Sequence, residues 1–235
     1  MLALFPIALG LGYAFLLVFP DTTEQPFTFL HSLLSYLLLA AAIVFVSMKR
    51  GQRSLSADFG LAFRWIDLPI GIGLALLAKF AALVFGLLAT VITGAPPKAP
   101  NVTVSHDLAG VLTAILVVIL LGPLVEELLF RGLILRATRY AILRGRHRAR
   151  PQPAPHQVQV WAAIVAALVN SVLFAVLHLY QAPGDPALFI SLALVTLTVG
   201  ILHSVIVIVT GRLGAAIVSH AVGNGIAVVL QFALF

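Results

Sequence analysis

The sequence predicts an all-α fold, a polytopic transmembrane helix bundle of about seven spanning helices forming one integral-membrane domain over residues 1–235. Three observations carry this. Hydrophobic residues make up 61% of the chain and charged residues only 9%, with a mean hydropathy of +1.12. A soluble domain is about 45–50% apolar and about 25% charged, so this chain has too little polar surface to cover a globule. Apolar runs near the roughly 20 residues that a spanning helix needs recur along the whole chain. Finally, the breaks between them carry turn chemistry, and their basic charge alternates from one break to the next. The runs must be helices, because lipid tolerates no unpaired backbone.

Taken in order, the runs are 2–19, 27–47, 68–92, 108–130, 160–179, 187–209 and 214–235. The first lacks a basic leader and a small-residue cleavage site, and reads as a retained helix rather than a signal peptide. PDTTEQP at 20–26 separates it from the second, and KRGQRS at 49–54 closes the second. The third contains Lys79, placed to snorkel or to meet a carboxylate, and ends at GAPPKAPN, residues 94–101. After the fourth comes a basic, proline-rich connection, 131–159, read as a cytoplasmic loop. QAPGDP at 181–186 and TGRLG at 210–214 divide the last three runs. Trp65 and Trp161 fall near run ends, as interfacial anchors should.

Charge sets the topology. Lys49, Arg50, Arg53 and Arg64 lie between the second and third runs; Arg131, Arg136, Arg139, Arg144, Arg146, Arg148 and Arg150 follow the fourth; Arg212 follows the sixth. The other set of breaks holds only Lys98 beside Asp21, Glu24, Asp107 and Asp185. The basic set is expected on the cytoplasmic side, with the N-terminus inside. The formal net charge of +6 therefore reports orientation and not a nucleic-acid partner, although the arginine-rich stretch can meet anionic lipid headgroups. With no cysteine in the chain, disulfides, thiolate catalysis and Cys-based zinc or iron–sulfur sites are excluded.

Within apolar runs, ionisable side chains are the informative ones, since each costs roughly 2.5–3.5 kcal/mol at a helix centre. Six of the eight acids lie in breaks or at run ends; the other two are the neighbours Glu126 and Glu127. Adjacent helical residues point about 100° apart, so the two cannot share one role. Arg131 follows Glu127 by four residues on one face, which pairs them and turns Glu126 into the bundle. Gly122 and Pro123 just upstream loosen the helix beside the carboxylates. His178 closes the fifth run, one turn after Phe174; His220 opens the seventh, one turn before Asn224. Glu126 with His178 suits water activation, and His220 with Asn224 suits two donors aimed at one oxyanion. Chain direction places His178 near the far end of its run, which demands a tilted or late-starting fifth helix if it is to meet Glu126. His31 and His203 match no pattern and read as interhelical hydrogen-bond partners.

EELLFR (Glu126–Arg131) reads as EExxxR, FAVLH (Phe174–His178) as FxxxH and HAVGN (His220–Asn224) as HxxxN. In order, spacing and membrane setting these resemble the CAAX-prenyl-protease and bacteriocin-processing (CPBP, or Abi) family of glutamic-type intramembrane endopeptidases. The resemblance covers about 108–230 and leaves the first three runs without a motif. It implies that Glu126 activates the hydrolytic water with His178, that His220 and Asn224 stabilise the oxyanion, and that Glu127, Arg131 and Phe174 support the site. The implied substrate is a membrane-embedded or lipidated polypeptide, in a multi-pass protein of a bacterial cytoplasmic membrane. Two histidines and a glutamate also make zinc the alternative cofactor reading. HExxH is absent, which favours a metal-free mechanism. Two competing functions remain at this level: a non-catalytic scaffold or bacteriocin-immunity-type protein using the same cavity, and a small proton-coupled transporter. The transporter reading is weakened because no paired broken helices in two similar halves are visible.

Overall fold

The computed structural model describes residues 25–98, 106–149 and 154–234. Every regular element among them is helical. The first apolar run, 2–19, lies outside the described residues. α1 spans Gln25–Arg50, the single turn α2 Leu55–Phe59, and α3 Asp67–Thr93. α4 runs unbroken through Leu108–Leu112, a π-helical Thr113–Leu121, Gly122–Glu127, a second π-helical stretch Leu128–Ile134, and Leu135–Ala149. α5 spans His156–His178 and closes in a 3₁₀ turn, Leu179–Gln181; α6 spans Pro186–Thr210 and α7 Gly214–Leu234. Six of these helices are long and apolar enough to cross a membrane. The chain is an integral, multi-pass, all-α membrane protein.

α6 packs between α3 and α5, α7 lies along α3, and α4 packs against α5, α7 and α1. Lipid supplies no hydrophobic drive between helices, so close backbone approach and polar bridges hold them together. Gly200 shows the device: a Cβ there would stand 2.8 Å from the Ser171 backbone. With the glycine, α5 and α6 come close enough for Asn170 Nδ2 to donate to Ser204 Oγ at 2.9 Å. Large apolar side chains such as Leu37, Leu38, Phe80 and Val172 remain on the outer faces, as lipid requires.

The two sets of loops gather at opposite ends. Asp67 pairs with Arg212 at 2.7 Å, Leu213 N donates to Gly60 O, and Arg136 donates to Gly211 O. At the other end Lys98 N donates to an Asp185 carboxylate oxygen at 3.0 Å. Trp65 and Trp161 are both exposed.

The connection read as a loop over 131–159 is largely helix. α4 continues to Ala149 and its last segment packs along α5. The span Leu108–Arg144 has 37 residues, about 55 Å at 1.5 Å per residue, against a hydrocarbon core of about 30 Å. Its arginine-rich end therefore stands clear of the lipid core. The extension resolves the depth problem without a late-starting fifth helix. From Glu126 to Ala149 the helix climbs about 35 Å, and from His156 to His178 it returns about 33 Å, which brings His178 level with Glu126.

Candidate active site

The site is built around the short α-helical segment between the two π-helical stretches of α4. In the first stretch the Gly122 N–H bonds Val117 O, five residues back. In that register the next carbonyl, Val118, would pair with residue 123, which is a proline and has no N–H. Asn224 of α7 supplies the missing donor: its Nδ2 donates to Val118 O at 2.8 Å. An amide NH₂ has two hydrogens, so one of them is left for another acceptor.

The two glutamates turn to different partners. Glu127 is wholly buried, and its Oε1 accepts from Arg131 Nη1 at 3.1 Å, His203 Nδ1 at 3.0 Å and His220 Nδ1 at 3.0 Å. Arg131, equally buried, lays its guanidinium 4.4 Å from the centre of the Phe174 ring, where the ring face offsets part of the desolvation. Phe174 also meets Phe130 edge-on at 5.1 Å and lies 4.3 Å from the His178 ring. His203 Nε2 is 2.9 Å from Ser219 Oγ. Since its Nδ1–H donates to Glu127, Nε2 accepts from the serine.

Glu126 faces the other way. Tyr36 of α1 donates its hydroxyl to Glu126 Oε1 at 2.6 Å. Glu126 Oε2 is buried and accepts no hydrogen bond among the described residues. It stands 3.8 Å from His178 Nε2 and 3.8 Å from His220 Nε2, too far for a direct bond in either case. His178 Nδ1 donates to Phe174 O at 2.7 Å and His220 Nδ1 donates to Glu127. Both Nε2 atoms therefore carry lone pairs directed toward the gap beside Oε2. The Glu126 side chain is 18% exposed and that of His178 20%, so the gap lies near the edge of the packed core.

Two donor sets could be asked to hold a cation. Glu127, His203 and His220 offer atoms within 4.8 Å of one another. There, however, both imidazoles present N–H and the Arg131 guanidinium shares the same oxygen, which opposes a cation. The second set is Glu126 Oε2 with the two Nε2 lone pairs. Its 3.8 Å separations exceed by some tenths of an ångström the roughly 3.3 Å between ligands of a tetrahedral zinc bonded at about 2.0–2.1 Å.

All seven residues singled out by the sequence motifs (Glu126, Glu127, Arg131, Phe174, His178, His220, Asn224) thus converge. His220 and Asn224 are the exception to the expected geometry, because their bonded donors reach different acceptors, Glu127 Oε1 and Val118 O. His203, read as an interhelical partner, is one, and its partner is Glu127. Tyr36 and Ser219 carry no motif and were not singled out. The available signal for Tyr36 was its spacing from Ala40, Ile43 and Ser47, which makes one inward stripe on an otherwise lipid-facing helix.

A family model, Type II CAAX prenyl endopeptidase Rce1-like, matches residues 108–226, just over half the chain. No curated protein and no solved structure matches.

Proposed function

Since the chain belongs to the Type II CAAX prenyl endopeptidase Rce1-like family, we propose that it hydrolyses a peptide bond near the C-terminus of a prenylated, membrane-bound protein, at the gap beside Glu126. The observation that supports this most is the unpartnered Glu126 Oε2 with two imidazole lone pairs 3.8 Å away. A water placed there donates one proton to Oε2 and is oriented by His178 Nε2.

Glu126 takes that proton as the water oxygen bonds to the scissile carbonyl carbon, and the carbonyl π electrons move onto oxygen. Before the attack His220 takes up a proton from solvent at Nε2 and keeps it through the cycle, as an imidazolium held through Nδ1–H by the Glu127 carboxylate, much as an aspartate holds the base in a serine-protease triad. In that state its Nε2–H, together with the second N–H of Asn224, meets the oxyanion. Collapse of the intermediate breaks the C–N bond, and Glu126 returns its proton to the leaving amine. Arg131 and Phe174 keep Glu127 and His178 in place. No metal is required, and none enters a step.

The basic loop end faces the cytoplasm in this reading, and the protein resides in a bacterial cytoplasmic membrane. The test uses purified protein in proteoliposomes and a quenched fluorogenic peptide ending in a farnesylated CAAX sequence. Wild type should cleave it, while Glu126→Gln and His178→Ala should lose about 10²–10⁴-fold in rate with the fold intact. Wild-type cleavage by Glu126→Gln would overturn the assignment.

A further inference from the structure

α1 lies entirely outside the residues that match the family model, yet it reaches the reacting carboxylate. We infer that Tyr36 is a positioning residue for Glu126: its hydroxyl takes up Oε1 and so assigns Oε2 to the water. This rests on the proposed role of Glu126 as the base.

The geometry is built on both sides of the contact. On α1, Leu37 and Leu38 are exposed toward lipid, whereas Ile43 and Ser47 are buried. Tyr36 shares the inner stripe with them and packs against the core. On α4, Gly122 sits one turn before Glu126. A Cβ at Gly122 would stand 3.3 Å from both the Tyr36 ring and its hydroxyl oxygen, and 2.9 Å from Val117 O. The glycine is the seat for the phenol. The 2.6 Å O–H···O contact is as short as hydrogen bonds to ionised carboxylates are.

Without this donor both carboxylate oxygens are equivalent acceptors, and the carboxylate can rotate away from the histidines. Among the described residues, four side chains besides Tyr36 act on Glu126 electrostatically: His178 on α5, His220 on α7, Arg131 on its own helix and Tyr180 in the turn after α5. Of the five, Tyr36 alone donates a hydrogen bond to it among the described residues.

Tyr36→Phe keeps the ring and removes the donor. It is expected to lower kcat about 10-fold on the farnesylated peptide, leave KM within about two-fold, and leave the unfolding midpoint nearly unchanged. The lost donor acts on the carboxylate and not on the substrate, so the whole loss should fall on kcat and persist at saturating substrate. Gly122→Ala, which displaces the phenol instead of deleting its hydroxyl, should lower kcat in the same way and add little to Tyr36→Phe in the double variant. An unchanged kcat in folded Tyr36→Phe, or a loss carried by KM instead, overturns the inference and makes Tyr36 a structural tie or a bystander. Additive effects of the two variants overturn it as well. If Tyr36→Phe does not fold, Gly122→Ala alone decides by the same split. Glu126→Gln separates the two levels. Were it fully active, the proposed function would fail; were it silent while Tyr36→Phe kept the wild-type kcat, only the present inference would.

Discussion

Glu127→Gln tests the buried ion pair, and with it the carboxylate's hold on His220. The amide oxygen can still accept from His203 and His220, so the shape of the site survives. What is lost is the charge opposite Arg131, whose side chain is wholly buried and whose Nε and Nη2 have no hydrogen-bond partner among the described residues. Removing one partner of a buried pair costs about 3–5 kcal/mol, because the other charge is left uncompensated. At about 2–4 °C per kcal/mol for a chain of this size, the midpoint should fall by about 6–20 °C. Glu126→Gln should cost only about 1 kcal/mol: its carboxylate has no Arg or Lys ion pair among the described residues, and Tyr36 can donate to the amide oxygen. Combining Glu127→Gln with Arg131→Met removes both charges and should restore most of the loss, since replacing a buried pair is often neutral. Loss of helical circular dichroism on heating in mild detergent reads the stability, and cleavage of the farnesylated peptide reads the chemistry. The reasoning fails if Glu127→Gln melts within about 2 °C of Glu126→Gln. If Glu127→Gln is both stable and fully active, neither the ion pair nor the hold on His220 operates and the division of roles is wrong.

Asp58 gives a pH test outside the membrane. It accepts from Ser47 Oγ and from the N–H of Gln52 and Ser54, which hold its carboxyl below the usual aspartate value of 3.8. A depressed folded-state pKa contributes stability that is present above 3.8 and is lost as pH falls through the lowered value. Melting curves of wild type should therefore converge on those of Asp58→Asn below about pH 4; a constant gap between them would refute the linkage. For metal, purified protein should hold zinc well below stoichiometric amounts and keep its activity through chelation. Stoichiometric zinc, with activity lost on chelation and restored by zinc, would reverse that. Because the chain has no cysteine, single Arg53→Cys and Lys98→Cys variants report sidedness in spheroplasts with an impermeant maleimide. Position 98 should label and position 53 should not, and the opposite pattern would invert the proposed topology.

Much of this was legible without coordinates. Helix content, the sites of the breaks and the separation of the two loop sets follow from length, hydropathy and charge, which are local properties. The opposed facing of Glu126 and Glu127 also follows, because 100° per residue is a property of any helix. The fate of 131–149 did not follow. Arginine and proline there read as a loop, yet a polar helix clear of lipid is stable once it has α5 to pack against.

The sequence by itself determined that this chain is a helical membrane protein and which of its ionisable groups lie within the membrane, each of which must be offset by a partner or a function. Only the tertiary structure decided which partner each one has. It set His178 level with Glu126 through the long α4 and assigned His203 to Glu127. It gave Asn224 to the carbonyl that Pro123 leaves bare, and brought Tyr36 of α1 onto the carboxylate. The last three of these pairings join residues 76 to 106 positions apart. Helical periodicity says which face a side chain takes, but not which helix will stand opposite it.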